Sequence, residues 1–393
     1  MSKGEVKKLR YSRIIKKGVL LLIFGCLFAV LLTICGQASD GGGGEEYLDS
    51  LKSLIPDDIR GQLPDNLLEG EEGTSSEAIA QLVGFDYLAA KALDALVAAA
   101  KASLGSLSMI LGILILSSVF NLFRGGIHND GLSKIVELAC SLCVALSIFS
   151  FMNGQLETVS ETIERINVFM TGLLPVMGGL YAAGGNVASA VAANAGLMTF
   201  VTVIENICYY ALVPLLRICF GFAIVSVFCV EIDLSEVSNL IKKTYTILIV
   251  FLTTLMSAVF AYQSAIANSA DNVAAKTAKF AVGSFVPVVG SALGEAIKTV
   301  AGSLTLIKNM VGVVAVVVII LSAMPAFFSL LMGKLALGIS GAVAGLLGST
   351  RENRLINELK GIYNLGLAMV ACTSVLFLVC LTVFIKCTVA LGT

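Results

Sequence analysis

Charge is scarce in this chain of 393 residues: only 13% of them are Asp, Glu, Lys or Arg, against about 25% in a soluble globular domain. That shortage excludes a soluble enzyme, a nucleic-acid binder and a disordered scaffold. Histidine is scarcer still. His128 stands alone, so no Ser/His/Asp, Cys/His or metal-ligating constellation exists at a usable spacing, and no cofactor is expected. The ten cysteines do not fill the gap. Cys140, Cys143, Cys208, Cys219, Cys229, Cys372 and Cys380 lie inside long apolar runs, where a thiol packs as a small hydrophobe. Cys140 and Cys143 have redox spacing, but no second pair accompanies them. A net charge of -1 selects no partner by sign.

What the chain has is apolar surface. Hydrophobic residues make up 57%, and the mean hydropathy is +0.93. This is too much for one buried core and indicates an all-α polytopic membrane protein. Seven basic residues crowd the first 17 positions, followed by an apolar stretch from Gly18 to Ile34 and then Gly36-Gln37-Ala38. Basic flank, short apolar region and small-x-small site describe a secretory signal peptide over 1–38. An uncleaved anchor is the competitor, because 17 apolar residues can just span a bilayer. Ile34 before Cys35 argues against a lipoprotein signal. Residues 39–101 form an acidic, helical extracytoplasmic segment, with thirteen acids against three bases between positions 40 and 100.

The membrane domain is expected over 102–393. Apolar runs framed by charges place spans at Ala102–Phe123 and Ile135–Met152, one crossing inside Val168–Val230, and further spans at Thr244–Ile266, Asn309–Met332 and Ile362–Ile385. Arg124–Lys134, Lys242 with Lys243, and Arg351–Lys360 then fall in the cytosol, as the positive-inside rule requires. Six crossings follow the signal peptide, with the polar stretch Asn153–Asn167 outside.

Two segments resemble one another. The stretch from Gly172 through Pro175 to Gly178 recurs from Ser284 through Pro287 to Gly290, displaced by 112 positions, and the same shift carries Gly221 onto Gly333. A duplicated unit, roughly 135–230 and 244–342, is the reading. Pro175 and Pro287 disrupt helices, and nearby glycines let backbones approach closely. Each segment is either a re-entrant element around a pathway or a kinked helix with glycine packing. Glu205 and Arg217 are the charges inside the long apolar run, each costing roughly 2.5–3.5 kcal/mol at a helix centre, so they should face protein or water.

One block is specific. The run from Thr277 through Phe280, Gly283 and Pro287 to Gly290, then Leu306 through Lys308 and Asn309 to Gly312, and Pro325, closely resembles the stage III sporulation protein AE family. The signal peptide, the acidic segment, Leu174-Pro175 with Gly184 and Gly185, and the span order resemble it too. Glu205 departs from it, standing where an uncharged polar residue is expected. The resemblance implies a mother-cell protein in the membrane around the forespore, within a channel-like complex needed for endospore formation. It implies as partners the other stage III sporulation proteins of the operon, among them a cytosolic ATPase and ring-forming members, with stage II sporulation protein Q contacted indirectly. It assigns no catalytic residues.

The expectation is a non-enzymatic homo-oligomer in membrane lipid, with no nucleic-acid partner, forming or anchoring the membrane base of that complex. The alternative is a secondary transporter with a midplane site between its two repeats. Glu205→Gln separates them: it disables a coupled transporter and spares a channel base.

Overall fold

The computed structural model describes residues 45–64, 84–123, 130–183, 199–204, 206–228, 236–255 and 290–386. The expected signal peptide, Gly184, Gly185, Glu205, Gly283 and Pro287 lie outside the described residues. Among those described there is no strand. Two short helices, α1 (Glu45–Leu54) and α2 (Asp57–Arg60), precede α3 (Phe85–Phe123), α4 (Asp130–Ala183), α5 (Val213–Phe228), α6 (236–255), α7 (Gly290–Leu346) and α8 (Thr350–Lys386). A π-helical stretch, Ile207–Leu212, leads into α5. Five stretches are long and apolar enough to cross a membrane: Asp86–Val119, Ser141–Leu180, Thr199–Val225, Met310–Leu346 and Thr350–Thr382. The protein is an all-α polytopic membrane protein.

The α7/α8 hairpin is the centre of the bundle. Its two apolar stretches are 67% and 78% buried, against 22% for that of α3. Every residue from Val311 to Ile319 is buried, as expected of a helix that is apolar all round. The tight connection follows from Gly348, whose φ of 72° is the left-handed conformation that glycine adopts without a Cβ penalty. It closes a Schellman cap: the Ser349 N–H reaches the Ala344 carbonyl at 3.0 Å, and the Gly348 N–H reaches Gly345 at 3.3 Å.

Contacts set the helices at a common level. Gln155 of α4 donates to the Ser329 carbonyl of α7 at 2.9 Å. Leu216 of α5 and Leu330 of α7 both flank Gly366 of α8. Cys208, in the π stretch, lies 3.4 Å from Thr373 of α8. These contacts align the middles of the apolar stretches, which fall near Ser160, Leu212, Phe328 and Gly366. Counting back along the α3/α4 hairpin from Ser117 and Ser141, which share one partner in α8, brings Ala102 in α3 to the same level.

Asn153–Asn167, expected as a polar stretch between two spans, lies within the unbroken helix α4, where Gln155 packs on α7. The reason is its periodicity. Leu156, Val159, Ile163 and Ile166 recur at helical spacing and are buried, while Glu157, Glu161 and Glu164 are turned outward. Nor does α4 break at Pro175, which sits exposed inside it; of the two readings of that segment, the helical one holds. Pro325 is likewise inside α7.

The short helices α1 and α2 fold against α4 and α3. Leu51, Ile55, Ile59 and Leu63, four apart, are all buried. Leu54 lies over Gly172 of α4, where a Cβ would clash with it. Arg165 of α4 pairs with Asp58 of α2, and the Tyr87 hydroxyl of α3 donates to the Gln62 carbonyl. The expected boundary at Lys101 falls inside α3, which runs unbroken from Phe85 to Phe123.

Candidate functional site

Three polar assemblies stand out in an otherwise apolar bundle. The first is at the end of the bundle where α3 ends and α4 and α8 begin. Glu352, in the first turn of α8 and only 4% exposed, accepts a hydrogen bond from Ser141 of α4 at 2.9 Å and a longer one from Ser117 of α3 at 3.4 Å. Local sequence explains why the carboxylate turns inward. Ser349-x-x-Glu352 has the spacing of a capping box, in which the glutamate bonds back to the serine N–H. Here the Schellman cap already uses that N–H, so the side chain is free to join three helices.

The second assembly is at mid-bundle. Gly333 of α7 makes room for two buried polar side chains: a Cβ there would lie 2.6 Å from Gln155 Oε1 and 2.7 Å from the Tyr363 ring. Gln155 Oε1 and the Tyr363 hydroxyl are both buried without a hydrogen-bond partner among the described residues. Beside them, α6 runs parallel to α8. Lys242 pairs with Glu358, and the buried Tyr245 hydroxyl donates to the Leu365 carbonyl at 3.1 Å. Sequence reasoning placed spans at Thr244–Ile266 and Ile362–Ile385 but missed that these two helices pack side by side, although a signal was present. Asn239-x-x-Lys242-x-x-Tyr245 recurs as Asn357-x-x-Lys360-x-x-Tyr363, and both tyrosines are fully buried.

The third is a surface strip. Asn153, Glu157, Glu161 and Glu164 are exposed along one side of α4. Arg217 of α5, also exposed, extends Nη2 to Ser160 Oγ at 3.4 Å. Above it, a cleft of about 580 Å³ opens between α4 and the α1–α2 segment, lined by Pro56, Asp57, Glu161, Glu164, Arg165 and Val168 among others.

The residues singled out in the sequence do not converge on one point. Pro175 and Gly178 sit in the outer part of α4, and Pro325 is exposed on α7. Gly290 opens α7, which also carries Lys308 and Asn309. Of those whose side chains are described, Arg217 alone joins a polar assembly. The two glycines related by the 112-residue shift differ: Gly333 is packed by Gln155 and Tyr363, whereas nothing lies within 4 Å of a Cβ at Gly221.

Comparison with known proteins gives a consistent result. The family model described as stage III sporulation protein AE matches residues 77–388. Stage III sporulation protein AE of Bacillus subtilis (strain 168) is 27% identical over 224 residues, which cover 55% of this chain and 56% of that protein. The chain thus spans a little over half the length of this curated relative. No solved structure matches. The family match takes in every helix from α3 to α8, and the chain belongs to the stage III sporulation protein AE family.

Proposed function

We propose that the chain is the membrane component of a mother cell–forespore channel complex required for endospore formation, and that it forms or anchors the membrane base of that complex. Family membership implies a role in sporulation. The observation that supports the finer reading is the dense packing of the described central helices. Val311 to Ile319, Tyr363 and Phe377 fill the space between them, packed as protein interiors are. In this reading a passage for sizeable solutes is assembled from several copies, or with partners. The partners in this reading are the other stage III sporulation proteins of the operon, including the ATPase on the cytosolic side and the ring-forming members outside. The location is the mother-cell membrane around the forespore.

The transporter alternative places Glu205 or Arg217 at a substrate site within one protomer. Arg217 is at the protomer surface, which favours the channel base. The deciding measurement is the oligomeric mass of the purified protein in native nanodiscs. A closed ring of several copies is expected; a monomer overturns the reading.

A further inference from the structure

The helix leading into α5 departs from α geometry at one turn. Among the described residues, Ile207–Leu212 is the only π-helical stretch. The Val213 N–H that ends it reaches back five residues to the Cys208 carbonyl. Pro214 follows at once, and it has no N–H to give the Tyr210 carbonyl, the bond an α-helix requires there. Proline alone is not the cause, because α4 passes Pro175 and α7 passes Pro325 as unbroken α-helices.

Burial supplies the rest. In α5 and the turn before it, Leu212, Leu216, Cys219 and Ala223 form a buried stripe at helical spacing. Counted back at the same spacing, that stripe continues through positions 209, 205 and 202. The residues buried in the lead are instead Cys208, Ile204 and Val201, each one place earlier. The π turn holds one extra residue, and that residue absorbs the offset.

Two registers therefore meet at this turn, and each gains what the other lacks. The π register buries Val201, Ile204 and Cys208, and brings Cys208 Sγ to 3.4 Å from Thr373 Oγ1 of α8, a weak pair because sulfur is a poor hydrogen-bonding partner. An α register, reached by rotating the lead about 100° and advancing it about 1.5 Å, restores regular backbone bonding up to Pro214. It turns Tyr209, exposed in the π register, into the place of Cys208, so that hydroxyl meets hydroxyl at Thr373. It also turns Thr202 inward, together with position 205, a glutamate, whose burial is costly. That cost decides for the π register, which is the one observed.

We propose that Ile207–Leu212 is a register switch: the helix leading into α5 turns between a π register with Cys208 against Thr373 and an α register with Tyr209 in its place. The switch rests on helix geometry and burial, and stands or falls independently of the channel-base reading.

Disulfide trapping in the full-length protein in nanodiscs reads the two registers separately, with the remaining cysteines replaced by alanine and the cross-links mapped by mass spectrometry. Cys208 with Thr373→Cys reports the π register. Tyr209→Cys with Thr373→Cys, in a Cys208→Ala background, reports the α register. Tyr210→Cys with Thr373→Cys in the same background is the control, since neither register turns position 210 to α8. The π pair is expected to close fastest, and the α pair about tenfold faster than the control, as a minor but populated state does. Glu205→Gln lowers the cost of turning position 205 inward and is expected to speed the α pair further. Closure of the α pair at the control's rate overturns the switch. So does an α-pair rate that Glu205→Gln leaves unchanged, which marks general loosening rather than rotation. Should the cysteine replacements not fold, thermal unfolding of the otherwise unchanged chain carries the test. Deleting Tyr210 removes the extra residue and is expected to keep the fold, whereas deleting Ile218, inside regular α5, breaks the stripe. Equal losses from the two deletions overturn the register offset and the switch with it.

Discussion

Small residues in this bundle act through what they admit. Gly333 admits Gln155 and Tyr363 to the α7 backbone, and an alanine there has to displace both. Overpacking of this kind costs about 1–3 kcal/mol. At Gly221, where a Cβ meets nothing, alanine is expected to gain up to about 1 kcal/mol of helix propensity. Thermal unfolding in detergent should therefore move in opposite directions for Gly333→Ala and Gly221→Ala. Equal shifts would show that the two glycines have equivalent roles after all. Glu352 poses the converse case, a buried carboxyl group held by hydroxyls. Ser141→Ala removes the 2.9 Å bond to it, and leaving a buried acceptor without its donor costs about 1–3 kcal/mol. Ser117→Ala removes only the 3.4 Å contact and is expected to cost less. The ranking of the two midpoints on a denaturant or thermal scan checks this.

At the scale of elements, helix type and the central hairpin were legible, and the unbroken length of α4 was not. The runs Asn309–Met332 and Ile362–Ile385 fall inside α7 and α8, because a continuous apolar run leaves little choice of environment. Asn153–Asn167 reads as polar by its average hydropathy, which counts Glu157, Glu161 and Glu164 without asking which side of a helix they occupy. The same residues read at helical spacing carry a buried stripe through Leu156, Val159, Ile163 and Ile166. Pro175 misled for a related reason. Proline removes one backbone bond, here the one to the Thr171 carbonyl, but burial of Leu173, Leu174, Met177 and Leu180 holds the helix across the gap. A proline inside a helix costs about 3 kcal/mol, so Pro175→Ala is expected to retain or raise thermal stability and to leave sporulation intact. Loss of heat-resistant spores without loss of protein would restore a re-entrant role for that segment. The Glu352 assembly was not legible, since its members are 211 and 235 positions apart and no local pattern links two serines to a distant acid.

For the whole molecule, the question is which surface meets lipid and which meets water, and the sign of a stability change can answer it. On a surface bathed in hydrocarbon, replacing a mid-depth glutamate by leucine stabilises the protein by about 3 kcal/mol on insertion scales. On a surface lining water, the same change exposes an apolar side chain and gains nothing. Glu157 and Glu161 are both exposed within the apolar stretch Ser141–Leu180, so the double change Glu157→Leu with Glu161→Leu is a direct probe. A water-lined strip predicts no rise in thermal stability in nanodiscs, together with a loss of heat-resistant spores in a sporulating host that carries the variant as its sole copy. The control is Leu104→Ala on α3, which leaves sporulation intact because lipid fills the space. A lipid-facing strip predicts the reverse: a more stable protein and normal spores. The two readouts are independent, since one measures the folded protomer and the other the assembled complex. A stable variant that fails to sporulate would place the strip at a contact with a second protein.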